Sequence, residues 1–163
     1  MGYHFLKIFE QNYEKIYQDY LSVKNKIIPW PEPELYDKGW EVFGLFLSKD
    51  VSTLIGTTLP ISTECTFTKN LISQNVPNHG TAGFSVLKSN STIKPHEGIK
   101  SKYFRMHLGL EIPEGDLGIL TASHGLLKWE KGKAFYFDDN LLHEAWNKTD
   151  QDRVVLLMDF ERW

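Results

Sequence analysis

The chain has 163 residues, enough for one compact domain that buries about 68–70% of its unfolded surface without disulfides or a structural zinc. It is 41% hydrophobic, 13% aromatic and 24% charged, which excludes a disordered chain, a collagen-like chain and a multidomain enzyme. The net charge of -3, from 18 basic and 21 acidic residues, gives no basic footprint for a nucleic-acid partner.

In chain order, Phe5, Ile8, Phe9, Tyr13, Ile16, Tyr17, Tyr20 and Val23 recur at intervals of three and four. That spacing predicts one amphipathic helix over 5–26. The run Pro29-Trp30-Pro31-Glu32-Pro33 cannot continue it and reads as a rigid extended link. Residues 40–46 alternate as a strand. Residues 61–74 are ambiguous, with Cys65, Phe67, Leu71 and Ile72 able to share one face of a short helix. Cys65 is the sole cysteine. It has no internal disulfide partner and reads as a core thiol in a reducing compartment. After a turn at 77–80, strands are predicted over 83–88, 104–111, 117–121, 134–138 and 154–160. Turn residues separate them, as in a sandwich or barrel. The last strand is nearly all apolar and belongs in the middle of a sheet, covered on both faces. No run approaches the ~18 apolar residues of a membrane span. Residues 1–10 lack a signal-peptide core. The expected location is the cytoplasm, with no membrane partner.

Two of the six histidines stand out. His96 lies in Lys94-Pro95-His96-Glu97-Gly98, and His143 follows the strand that ends near Asp138. Arg105 comes nine residues after the first and Arg153 ten after the second. Two neutral imidazoles on adjacent strands suit a first-row metal with open positions. An arginine inside a barrel offers a permanently charged fork for a carboxylate. A metal beside such a clamp is what a 2-oxo acid cosubstrate requires. Spacing alone stops at a β-rich domain with a candidate two-histidine site.

Several blocks, in order, carry a resemblance. They are Phe84-Ser85-Val86-Leu87, Pro95-His96-Glu97-Gly98, Arg105-Met106-His107-Leu108-Gly109-Leu110-Glu111-Ile112-Pro113, and Trp129 to Asp139, followed by His143-Glu144-Ala145-Trp146 and Arg153. The set resembles the aspartyl/asparaginyl β-hydroxylase family over about residues 35–160, weakly before Gly83 and closely after it. The resemblance implies a mainly β, double-stranded β-helix (jelly-roll, cupin-like) with the N-terminal helix packed outside. One oxygenase domain would then occupy 1–163, with the helix in 1–28 and the β-helix core in 34–163. It implies Fe(II), 2-oxoglutarate and O2, with His96 and His143 as iron ligands. Ser85 and Arg153 match the positions that hold the distal carboxylate of 2-oxoglutarate. Arg105 and His107 match a pair near the cosubstrate and the substrate carboxylate, with Arg105 counted among the catalytic residues.

The usual carboxylate ligand, two residues after the first histidine, is here Gly98, as in that family. Glu97 is one residue off and points elsewhere on an extended segment. A small residue there also permits a 2-oxoglutarate-dependent halogenase. A non-enzymatic cupin-like protein binding metal or a small acid is the rival from another class. Asp138 and Asp139 are expected to order the loop bearing His143 or to accept its second ring N–H, and Trp146 to pack. Lys88, Lys94, Lys100 and Lys102 surround the first ligand loop and could attract an anionic substrate. The implied reaction is hydroxylation of an unactivated carbon of an amino acid, free, peptidyl or carrier-bound and possibly Asp/Asn-like, with succinate and CO2 as coproducts.

Overall fold

A computed structural model describes residues 3–48 and 63–162. Two antiparallel sheets face each other. The larger runs β1 (Ile28–Pro29), β2 (Trp40–Phe46), β3 (Ala82–Leu87), β10 (Arg153–Glu161), β5 (Tyr103–Glu111) and β8 (Ala134–Phe137) across its width. The smaller runs β4 (Ser91–His96), β9 (His143–Asn147), β6 (Leu117–Thr121) and β7 (Gly125–Leu127). The two facing, wholly antiparallel sheets form the double-stranded β-helix expected from the sequence.

Period-2 alternation sorts the strands into two cores. On β10, Val154, Leu156, Met158 and Phe160 face outward, with Phe84 and Val86 of β3 and Met106, Leu108 and Leu110 of β5. The helices cover that face. Phe5 and Phe9 come from α1 (Phe5–Gln11), and Ile16, Tyr20 and Val23 from α2 (Tyr13–Val23). Phe9, Ile16 and Val23 are fully buried, each contributing about 1.5–3 kcal/mol. Between the sheets lies the second core, with Trp40, Leu87, Ile93, Ile119, Trp129, Phe137, Ala145 and Val155.

The predicted single N-terminal helix is two. Asn12 leaves helical backbone (φ -109°, ψ 14°), and its side-chain amide donates to the Ile8 carbonyl. Asparagine competes with the backbone for such bonds and so ends helices. The ambiguous middle segment is α3 (Thr66–Asn75); Ile61 and Ser62 of that prediction lie outside the described residues. Asp19 of α2 accepts hydrogen bonds from Thr68 N (2.9 Å) and Thr68 Oγ1 (2.7 Å), satisfying a free N–H in the first turn of α3. Cys65 is buried beside it. Its thiol, pushed up to about 11 by burial and by Asp19, is the expected core thiol.

β10 pairs with β3 on one side and β5 on the other and is buried along nearly its whole length, as its apolar run predicts. β1, β4, β7 and β9 were not legible as strands. β4 is the instructive miss. Lys94, Pro95 and His96 interrupt its apolar pattern, and its pairing with β9 slips between Ile93 and His96.

Candidate active site

The same alternation that turns one face of the large sheet toward the helices turns the polar set inward. The inward positions are Ser85 on β3, Arg105 and His107 on β5, and Arg153 and Asp159 on β10. Register then makes neighbours of them: Val155 pairs with Ser85, Leu157 with His107 and Asp159 with Arg105. The small sheet supplies the histidines, because β4 and β9 pair His96 directly with His143.

The two imidazole rings lie 4.4 Å apart, centre to centre. Each is oriented by the backbone two residues before it. His96 Nδ1 is 2.7 Å from Lys94 O, and His143 Nδ1 is 2.8 Å from Leu141 O. Those carbonyls fix Nδ1–H as the donor and leave Nε2 of each ring free to ligate. The acceptor of the second ring N–H of His143 is therefore Leu141 O. Asp139 lies on the other side, with Oδ1 3.1 Å from His143 Nε2 and 3.2 Å from Arg105 Nη1. This oxygen is buried and has no aligned hydrogen bond. Burial raises the Asp139 pKa, but Arg105 and the two histidines outweigh it and hold the carboxyl well below the usual carboxylate range. Asp138 instead orders the loop, bonding Asn140 N and the Arg162 fork.

Gly98 has a steric reason to be glycine. A Cβ there would run into Asp139 Oδ2 and come within 2.6 Å of Asp139 O, and Gly98 N donates to that same carbonyl at 2.8 Å. The space left by the missing side chain holds a carboxylate from the loop before His143. Among the described residues no cluster of three or more His, Cys, Asp or Glu is arranged to hold a metal. The donor set is two imidazoles beside an unsatisfied carboxylate oxygen. That set suits a first-row divalent cation with open positions.

Deeper between the sheets, Arg153 is the largest fully buried side chain. Its Nη2 donates to Ser85 Oγ (2.9 Å) and Ser85 O (3.2 Å), and its guanidinium lies 4.5 Å over the Trp129 ring. No acid pairs with it among the described residues, and its Nε has no partner. Burial pushes its pKa down to about 9. Trp40 Nε1 also donates to Ser85 Oγ, at 2.9 Å. His107 accepts from Trp129 Nε1 at its Nδ1 (3.0 Å), which leaves a proton on Nε2 in the neutral ring. Burial and the nearby Arg153 and Arg105 keep that ring neutral, its pKa well below the ordinary value. A cavity lined by Ser85, Arg105, His107 and Arg153 reaches both His96 and His143.

Arg105 differs from Arg153 in facing two acids. Its Nε and Nη2 grip Asp159 at 2.8 and 3.1 Å, while Nη1 faces Asp139. The structure thus brings together every predicted site residue: Ser85, His96, Arg105, His107, His143 and Arg153. Sequence reasoning missed Trp40, Trp129 and Asp159 as members of the site. Only their inward parity marked them, and parity needs the strand boundaries first. Glu97 is largely exposed, pairs with Lys100 at 3.4 Å and does not line the cavity that reaches both histidines. Trp146 donates to Asp116 at 2.8 Å, away from the site. Of the four expected attracting lysines, Lys88 binds Asp152, Lys100 binds Glu97 and Lys102 faces Glu161.

The family model described as Aspartyl/Asparaginyl beta-hydroxylase matches residues 10–163. The ornithine lipid ester-linked acyl 2-hydroxylase of Rhizobium tropici is 41% identical over 88 residues, covering 53% of this chain and 31% of that one. The human aspartyl/asparaginyl beta-hydroxylase is 29% identical over 158 residues, covering 94% of this chain and 20% of that one. The chain thus spans a third or less of the length of these curated relatives. A 2OG-Fe(II) oxygenase-family oxidoreductase from Burkholderia pseudomallei shares the fold at TM-score 0.58 and 12% identity, over 87% of this chain and 76% of that one. A Pseudomonas putida prolyl-4-hydroxylase does so at 0.56 and 12%, over 93% and 88%. No described helix is long and apolar enough to cross a membrane. With the family match extending over nearly the whole sequence, the chain belongs to the aspartyl/asparaginyl β-hydroxylase family.

Proposed function

We propose that the protein is an Fe(II)- and 2-oxoglutarate-dependent dioxygenase that hydroxylates an unactivated carbon of an amino acid or amino-acid-bearing substrate. The observation that carries this reading is Arg153. A buried guanidinium with no acid partner is costly, and a dicarboxylate cosubstrate would offset that cost. Its distal carboxylate would take the free Nε of Arg153 together with the Ser85 hydroxyl, with Trp40 steadying Ser85. His96 and His143 would hold the metal through Nε2. His107, neutral and carrying its proton on Nε2, would donate to the cosubstrate from the cavity wall. Asp139 and Arg105 would orient groups at the open positions. Bound Fe(II) supplies O2 activation coupled to decarboxylation of 2-oxoglutarate, giving succinate, CO2 and a hydroxylated carbon. Halogenation is disfavoured, because a halide would have to share the Gly98 space with the Asp139 carboxylate.

The test is succinate formation from 2-oxoglutarate by purified protein, with and without Fe(II) and O2. Turnover requiring both, lost in His96→Ala and Arg153→Met, supports the reading. Succinate formed equally without iron, or none under any condition with correctly folded protein, refutes it.

A further inference from the structure

The cleft that reaches His96 carries its own chemical information. Its walls include Trp30, Leu35, Val42, Phe46, Leu47 and Ile99. Trp30 and Trp40 stack at 4.0 Å with planes 3° apart, forming a flat aromatic wall beside the cosubstrate cavity. An apolar lining of this kind binds an apolar chain through the area that it removes from water.

The charges facing the cleft narrow the choice further. Its one cation among the described residues is Arg105, gripped by Asp159 through two nitrogens and faced by Asp139 through the third. An incoming carboxylate would have to displace a buried acid to reach it. The Lys69 ammonium, 5.2 Å over the Phe46 ring, is not part of the lining. Glu97 is paired with Lys100 at 3.4 Å. Glu32 remains. It lines the cleft, Trp30 Nε1 holds its Oε1 at 3.2 Å, and among the described residues no cation lies within ion-pair distance of it, Arg105 and His96 feeling its charge only from farther off. A fixed carboxylate in the wall of an apolar cleft attracts a cation and repels an anion.

On the reading that this is a dioxygenase site, we propose that the part of the amino-acid-bearing substrate lying in this cleft is an apolar aliphatic chain with a cationic amine end. The chain lies along the Trp30, Val42 and Phe46 wall, and Glu32 selects the amine. An acidic side chain is the wrong charge for this cleft. Glu32 is then a specificity-determining residue, which sequence reasoning did not single out.

The experiment uses octylamine, octanol, octanoate and a short aspartyl peptide as probes. Binding is read by calorimetry on anaerobic protein loaded with Fe(II) and 2-oxoglutarate, so that Arg153 is already occupied. The expected order is octylamine, then octanol, then octanoate, with about tenfold between the first and the last. Glu32→Gln should remove the preference for the amine over the alcohol, and Glu32→Lys should reverse the order of amine and acid. Tighter binding of octanoate or of the aspartyl peptide by wild type overturns the proposal. So does an amine preference that survives in Glu32→Gln, or failure of all four probes to bind. Succinate formation without any substrate reports separately on the dioxygenase reading. If it is present while the probe order is wrong, only the substrate assignment fails.

Discussion

Replacing Arg153 with methionine tests whether this side chain is kept for a ligand or for the fold. In the free protein the guanidinium is 1% exposed, and its pKa falls from 12.5 to about 9. That displacement corresponds to about 5 kcal/mol against the charged form. Against it stand one well-placed charged hydrogen bond to Ser85 Oγ and the face of Trp129. These are worth about 1.5–3 kcal/mol and about 1–2 kcal/mol. The terms nearly cancel. Arg153→Met preserves length and apolar stem, and Ser85 Oγ keeps its bond from Trp40. Thermal unfolding of the variant should shift by less than about 10 °C, at about 2–4 °C per kcal/mol for a domain of this size. Loss of a paired buried charge partner would instead cost about 3–5 kcal/mol. In wild type with Mn(II), 2-oxoglutarate at a hundred times its Kd should add about 2.7 kcal/mol, and in the variant it should add nothing. A fall in Tm beyond about 10 °C would show that Arg153 holds the fold together. A retained 2-oxoglutarate shift would show that it does not bind the cosubstrate. Either result refutes the reasoning.

Other substitutions probe different parts of the account. Gly98→Ala should lose about 1–3 kcal/mol of stability through its clash with Asp139, and it should bind Fe(II) more weakly, as read by denaturant titration and equilibrium dialysis. Trp40→Phe removes the donor to Ser85 Oγ; the KM for 2-oxoglutarate should rise about tenfold, with kcat much less affected. Asp138 is pushed up by burial, but Arg162 and Asn140 outweigh that and lower its pKa below the ordinary 3.8. Its carboxylate therefore stabilises the fold fully above that value and loses the contribution as pH falls through the lower folded value. The stability gap between wild type and Asp138→Asn, measured by denaturant titration, should be constant from pH 7 to 5 and close below about pH 4. Cys65, buried with its thiol at about 11, should resist iodoacetamide at pH 8 in native protein and react once the chain is unfolded.

The elements most legible in the sequence were those with the simplest burial. β10 read as a central strand because both of its faces are buried, and 117–121 was placed residue for residue. The juxtaposed His96 and His143 and the Ser85–Arg153 pair were legible through ordered motifs, since each is a single residue type at a fixed spacing. What depends on three-dimensional parity was not legible. Asp159 reads as a polar break in an apolar strand until its register with Arg105 is known. Trp40 reads as an ordinary strand aromatic until Ser85 is seen beneath its indole nitrogen. The split at Asn12 was hidden because the spacing of apolar residues continues across it. Glu32 lay in a proline-rich link, where the sequence carries no periodicity to say which way a side chain faces.

The central claim is that two imidazoles on the paired strands β4 and β9, without a carboxylate from the Gly98 position, suffice to hold iron with 2-oxoglutarate beside Arg153. The most direct measurement is anaerobic titration of the protein with Fe(II) and 2-oxoglutarate, following the visible metal-to-ligand charge-transfer band. The account predicts a band that saturates at one iron per chain in wild type, disappears in His143→Ala and His96→Ala, and is unchanged in Glu97→Gln. A wild type without the band, or a band that survives in His143→Ala, would contradict it.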